Sequence, residues 1–134
     1  MWLRKRRGST LLEMLLAATC LAAAAIGVLG ALRFANDRTI TARYRTIALQ
    51  LVRTNLETAI GQATSGYLAA GTTTQTLTNT GIPATVTVTT TATPVGATDR
   101  FSITSQATWT QLTSGGNSVQ TVQLYTIARN LGAN

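Results

Sequence analysis

"RKRRGSTLLEMLLAATCLAAAAIGVLGAL" occupies residues 4–32, and this stretch decides how the chain is organised. Its last nineteen residues, Met14 to Leu32, carry no formal charge. A helix rises by about 1.5 Å per residue, so this run would span roughly 29 Å, close to the thickness of a bilayer core. Glu13 stands at the start of the run, although an ionised carboxylate costs several kcal/mol in hydrocarbon. The position of this carboxylate therefore needs a physical explanation.

The composition argues against an enzyme. The 134 residues allow little more than one small domain, and there is no histidine. The acidic residues are scattered at Glu13, Asp37, Glu57 and Asp99. Metal sites and Ser-His-Asp chemistry need residues that the chain lacks or spreads widely, and the single cysteine, Cys20, excludes an intrachain disulfide. We expect neither catalysis, nor a cofactor, nor a bound metal.

The basic residues fall into two groups. Four of the eleven lie at positions 4–7, and without them the net charge would be +3 instead of +7. The high pI is thus largely a property of a targeting-type leader and supports nucleic-acid binding only weakly. A second basic stretch follows the apolar run and contains Arg33, Arg38, Arg43 and Arg45. Phospholipid headgroups or neighbouring subunits are its expected partners, with DNA as a weaker alternative.

Helical periodicity continues beyond the apolar run. Apolar residues recur at helical spacing at Ile40, Tyr44, Ile47 and Leu51. The same face is widened by Ala48, Val52, Leu56 and Ala59. No proline occurs before Pro83, so we predict one helix from about Thr10 to about Thr64, ending near Gly66. A helix on the order of 80 Å long cannot be buried in a domain of this size.

The rest of the chain is rich in threonine and alternates as strands do. "ATVTVTTTA" (84–92) alternates apolar and hydroxyl residues, and "RFSITSQATWT" (100–110) places Phe101, Ile103, Ala107 and Trp109 on one face. In 119–129, Val122, Leu124 and Ala128 oppose Gln123, Tyr125 and Ile127. A further strand in "TTTQTLT" (72–78) is weakly indicated. The predicted fold is α+β: one long N-terminal helix whose second half covers an antiparallel sheet of three or four strands.

Three interpretations of the N-terminus leave residues unexplained. A secretory signal is shorter than this apolar run. A lipoprotein signal would place Cys20 at its end, but the residues before it, Ala17 to Thr19, fit that pattern poorly and the run continues for a dozen residues. A plain single-span anchor fits the length and the basic leader, yet it gives Glu13 no role.

A fourth interpretation accounts for the basic leader, Gly8, Glu13 and the long apolar run together. "RKRRG" followed by "STLLEMLLA" resembles the class III signal of type IV pilins and type II secretion pseudopilins. That resemblance implies cleavage by a prepilin peptidase between Gly8 and Ser9 and N-methylation of Ser9, although the family usually carries Phe at this position. Glu13 then becomes the fifth residue of the mature chain, where the family carries its glutamate. The pilin-like fold, a long helix on a small sheet, is what the resemblance implies for the whole chain.

The resemblance also implies a domain organisation and partners. Residues 1–8 correspond to the leader, 9–32 to the transmembrane and assembly half-helix, and 33–134 to the periplasmic or extracellular domain. Two segments, 45–59 and 107–129, are most similar to minor pilin V and pseudopilin I. Expected partners are other pilin or pseudopilin subunits, the prepilin peptidase, inner-membrane lipids and the assembly platform.

Small residues in the apolar run suggest close helix packing. Ala23, Gly27 and Ala31 form a row at intervals of four, with Gly30 beside it. An alanine-rich span without a packing role is the alternative. Glu13 would pair with the amino terminus of Ser9, in the same or a neighbouring chain, and so select the register of assembly.

The expected function is that of a pilin-like structural subunit, a minor pilin, which is processed by a prepilin peptidase and then assembles into a type IV pilus or primes one. The alternatives are a type II secretion pseudopilin and a single-span binding module that never polymerises. The expected location is the bacterial inner membrane, with the N-terminus cytoplasmic, and then a cell-surface pilus or a periplasmic pseudopilus.

Overall fold

A computed structural model describes residues 6–96, 100–113, 115–129 and 131, with side chains from Thr10 onward. The chain consists of one helix, α1 (Arg6–Thr64), followed by four strands. The strands are β1 (Gly71–Leu77), β2 (Val86–Pro94), β3 (Arg100–Thr113) and β4 (Gly116–Arg129). Two compact units can be distinguished, Met1–Thr39 and Ile40–Asn134, and α1 contributes to both.

Helix α1 begins earlier than the sequence predicts. The expected start was about Thr10, whereas the backbone is helical from Arg6. Gly8 is the one poor helix former in this first turn, and a single glycine costs about 1 kcal/mol relative to alanine. Leader residues 1–5 lie outside the described part of the chain.

The C-terminal end of α1 confirms the expected stop near Gly66. Gly66 has a φ of 78° and donates its amide hydrogen to the carbonyl of Ala63. The amide of Tyr67 donates to the carbonyl of Gln62 at 2.9 Å. This pair of bonds is a Schellman motif, which satisfies carbonyls left over at a helix end and requires the left-handed conformation that glycine adopts without strain.

The four strands form one antiparallel sheet in the order β1-β2-β3-β4. The register is continuous, with Val88 opposite Ala107 and Ala107 opposite Val122. The weakly indicated first strand is present as β1, an exposed edge strand paired with β2 from Gly71 to Leu77. The α+β prediction is confirmed: α1 packs on a four-stranded antiparallel sheet.

The core lies between the second half of α1 and one face of the sheet. Its larger cluster joins Ala48 and Val52 of the helix to buried residues of three strands and of the β1–β2 connection: Ile82, Val86, Val88, Ala107, Trp109 and Val122. A smaller cluster joins Leu56, Ala59, Ala63, Ile103 and Ala128. The alternation predicted for β3 and β4 is confirmed, because Ile103 and Trp109 are buried whereas Tyr125 and Ile127 are exposed.

The centre of the helix face differs from the prediction. Ile40, Tyr44 and Ile47 are only half-buried, whereas Ala48 and Val52 are fully buried. Small side chains on the central line let the helix approach the sheet closely, so the larger ones are displaced to the flanks. On the solvated face of the helix, the Arg53 Nε and Glu57 Oε1 atoms lie 2.8 Å apart, and both side chains are largely exposed.

Candidate functional site

The N-terminal unit contains the segment on which the sequence resemblance rests. Every side chain from Thr10 to Asn36 is exposed, including large apolar ones such as Leu21 and Ile26. The most apolar window of α1 has a mean hydropathy of 2.3, and none of it is buried by the chain. By length and composition this helix is able to cross a membrane. Such a helix is compatible with a single-pass anchor.

Glu13 is the fourth residue of α1 whose side chain is described, and it lies on the surface of the helix. It lines a shallow depression together with Thr10, Met14 and Ala17. Among the residues that the structure describes, no hydrogen bond or ion pair is made by its carboxylate. Within the described part of the chain, no polar contact of Glu13 therefore offsets the cost of placing a carboxylate in an apolar segment.

A row of small residues continues from Glu13 along one face of α1. The row advances by alternating steps of four and three residues, which keeps its members on one side of a helix. It consists of Glu13, Ala17, Cys20, Ala24, Gly27 and Ala31, and we call it the small-residue face. Two of the predicted packing residues, Gly27 and Ala31, belong to it, whereas Ala23 and Gly30 border it.

The sequence prediction missed the other members of this face. Ala17, Cys20 and Ala24 were not predicted as packing residues, although their three-and-four spacing from Glu13 was visible in the sequence. Cys20 is a free, exposed cysteine within the face. The spacing matters because two helices packed along such a face can bring their backbones close together.

The glycines of the apolar segment do not pack against any other part of the described chain. A β-carbon added to Gly27 or Gly30 would meet nothing within 4 Å. Each glycine nevertheless costs about 1 kcal/mol relative to alanine in a helix interior. Contacts within the described chain give no reason for this cost. Packing of another helix against these glycines would give one.

The Gly8–Ser9 bond lies in helical backbone, because α1 begins at Arg6. Cleavage there would require local unwinding. The first four N–H groups of a helix have no intrahelical partner, so the first turn is the cheapest part of α1 to open. Gly8 lowers the cost further through its poor helix propensity.

Two arginines of the N-terminal unit lie just beyond the apolar run. Arg33 comes immediately after Leu32, and Arg38 is five residues further along. The Arg38 guanidinium carbon lies 4.9 Å from the centre of the Phe34 ring, within cation–π distance. Phe34 itself is exposed and was not singled out from the sequence.

In the described part of the second unit, the side chains suggest no comparable site. Within the described residues, no group of three His, Cys, Asp or Glu side chains comes together. A pocket of about 190 Å³ is lined by Tyr44, Trp109 and Gln111 among others. The Trp109 Nε1 and Gln111 Oε1 atoms are buried and have no hydrogen-bond partner among the described residues.

In comparisons with models of protein families, with curated proteins and with solved structures, the chain has no significant match. An inference about its function therefore rests on its own residues and their geometry.

Proposed function

We propose that this chain is a pilin-like structural subunit, a minor pilin that is cleaved between Gly8 and Ser9 and then assembles into a type IV pilus or primes one. The observation that carries the proposal is the small-residue face, which begins at Glu13 and is not covered by any of the described residues. A face of this kind, on a helix with a carboxylate at one end, suits packing against other helices of the same type.

Electrostatics gives the carboxylate a role in such an assembly. Cleavage would create an α-amino cation at Ser9, four residues and about 6 Å along the helix from Glu13. In a low-dielectric environment opposite charges attract strongly, so the carboxylate of one chain and the amino terminus of a neighbour would favour one stagger of the helices. Ser9 is also the expected site of N-methylation.

The proposal places the leader in the cytoplasm and the sheet on the other side of the bacterial inner membrane. The basic leader favours this orientation, because cations near a span are retained on the cytoplasmic side. The other partners are pilin subunits and the assembly platform. A secretion pseudopilus would use the same helix and the same processing.

Processing is the direct test. The full chain is expressed with and without a prepilin peptidase, and the membrane-extracted protein is weighed by intact mass spectrometry. We expect the peptidase to remove eight residues, and to add one methyl group to Ser9. A Gly8→Leu variant should stay uncut, because a large side chain at the scissile position blocks access.

Two results would reject the proposal. One is a wild-type chain whose mass is unchanged by an active peptidase that processes a known prepilin in the same cells. The other is normal maturation of Gly8→Leu. Either result would favour a membrane-tethered module that does not polymerise.

A further inference from the structure

We infer that Arg33 and Arg38, together with Phe34, form a binding site for anionic phospholipid headgroups in the leaflet opposite the basic leader. This inference rests on the proposed function only for the orientation of the chain. It requires that α1 crosses a bilayer, which its length and mean hydropathy permit.

The depth of the two arginines matches the headgroup layer. That layer is about 5–7 Å thick on each side of a hydrocarbon core of about 30 Å. Arg33 directly follows the last residue of the uncharged run, Leu32, and lies at the inner edge of the layer. The backbone of Arg38 is about 9 Å beyond Leu32, slightly past the outer edge.

The contact with Phe34 brings Arg38 back into the layer. Helical side chains lean towards the N-terminus, and here the Arg38 guanidinium lies over the ring of a residue one turn nearer the apolar run. Its charge is thereby held near the level of Phe34, only two residues past Leu32. Phe34 is 62% exposed, so the ring is free to rest at the membrane surface while the guanidinium faces the phosphates.

The chemistry favours an anionic lipid. Guanidinium groups bind phosphate oxygens in a bidentate manner, and both arginines are exposed. Asp37 lies between them in the chain, so the site carries a net charge of +1. Phosphatidylglycerol, with a net negative charge, is therefore expected to be preferred over zwitterionic phosphatidylcholine.

The site has a consequence for assembly. A subunit that leaves the bilayer to join other subunits has to release these headgroups. The two arginines would therefore hold the processed chain at a fixed depth until the assembly machinery extracts it.

The test measures lipid selectivity of the full chain in vesicles. The chain is reconstituted in phosphatidylcholine with a trace of spin-labelled phosphatidylglycerol or spin-labelled phosphatidylcholine, and the motionally restricted fraction of each label is measured by electron paramagnetic resonance. A cation at a membrane surface favours an anionic lipid by about fivefold. We expect the wild type to prefer phosphatidylglycerol and Arg33→Gln/Arg38→Gln to show a clearly weaker preference. The remaining preference comes from the four cations of the leader at the opposite surface, which every variant retains.

The matched control is Arg43→Gln/Arg45→Gln, which removes the same charge from the second unit. This control should retain the wild-type preference, whereas Phe34→Leu should weaken it by releasing Arg38. Equal loss in both double variants would overturn the inference, since it would indicate a response to net charge alone. A wild type without preference, or one that fails to insert, would overturn it as well.

Processing separates this inference from the proposed function. A chain that loses its first eight residues normally but shows no lipid preference rejects only the headgroup site. A chain that keeps the preference but is never cut rejects only the pilin-like function.

Discussion

Glu13 and Ala31 lie on the same face of α1, eighteen residues and five helical turns apart. Nothing in the described part of the chain covers the face between them. The charged residue at one end of this face would set the register between neighbouring helices. The small residues along the rest of it would set how closely those helices approach each other. Each can be tested by its own substitution.

Substitution of Glu13 tests register. Glu13→Gln keeps hydrogen-bonding capacity and loses the charge, and Glu13→Leu enters lipid at lower cost. Both variants should insert and be processed at wild-type levels, yet their incorporation into filaments should fall. The measurement is tagged subunit in sheared filaments, or filament yield if the subunit only primes assembly, normalised to processed protein in the membrane. Unchanged assembly with both variants would show that Glu13 is not a register charge.

Substitution of Ala24 tests close approach. Ala24→Ile adds volume on the small-residue face, whereas Ala22→Ile adds the same volume on a different side of α1. We expect Ala24→Ile to reduce incorporation because it holds neighbouring helices apart, and Ala22→Ile to have a much smaller effect. Membrane levels serve as the internal control, as both variants have the same hydropathy. Equal losses of incorporation in the two variants would show that the small-residue face has no special role in packing.

Removal of residues 1–32 tests whether the sheet domain folds alone. The fragment 33–134 retains the helical segment that supplies Ala48, Val52 and Leu56 to the two core clusters. It should be soluble and folded, with circular dichroism of mixed helix and strand and a cooperative thermal transition. A fragment without cooperative unfolding under native conditions would show that the core depends on the first 32 residues.

Two isoleucines on opposite faces of the sheet test where the core lies. Ile103 is fully buried against the helix, and Ile127 is 55% exposed on the other face. In the fragment 33–134, Ile103→Ala should lower the free energy of unfolding by about 2–5 kcal/mol through loss of burial and formation of a cavity. Ile127→Ala should lower the free energy of unfolding by less than about 1 kcal/mol, because only the strand propensity changes at an exposed position. Urea denaturation measures the free energy of unfolding of both variants. Similar losses in the two would contradict the assignment of Ile103 to the buried face and Ile127 to the exposed face.

Two glycines near the end of α1 should respond with opposite signs. Gly66→Ala places a β-carbon at a φ of 78° and should destabilise the fragment by about 1–2 kcal/mol. Gly61 lies within the helix, and a β-carbon there would meet nothing within 4 Å, so Gly61→Ala should stabilise by about 0.5–1 kcal/mol. The same denaturation experiment compares them. Stabilisation by Gly66→Ala would mean that the helix does not end in the Schellman motif.

Much of the architecture is local and was therefore predictable. The uncharged run, the absence of proline before Pro83 and the glycine at position 66 determine one long helix and its end. Strict alternation determines the inner and outer faces of β3 and β4. The position of Glu13 in an apolar run, and the small residues at three-and-four spacing after it, are likewise properties of the sequence. They define the candidate site because helical geometry alone places them on one face.

Other features were decided only by tertiary contacts. The stretch that forms β1 is almost entirely polar and has no alternation of its own, so its pairing depends on the free edge of β2. Ser105 is fully buried in β3, where its hydroxyl is 3.2 Å from that of Thr90 across the β2–β3 register. On the helix, the larger residues Tyr44 and Ile47 and the smaller residues Ala48 and Val52 lie side by side. Ala48 and Val52 are buried most deeply, because their smaller side chains let the helix approach the sheet more closely. A periodic pattern shows which residues share a face, but the distance between packed elements determines which of them reach the centre of the core.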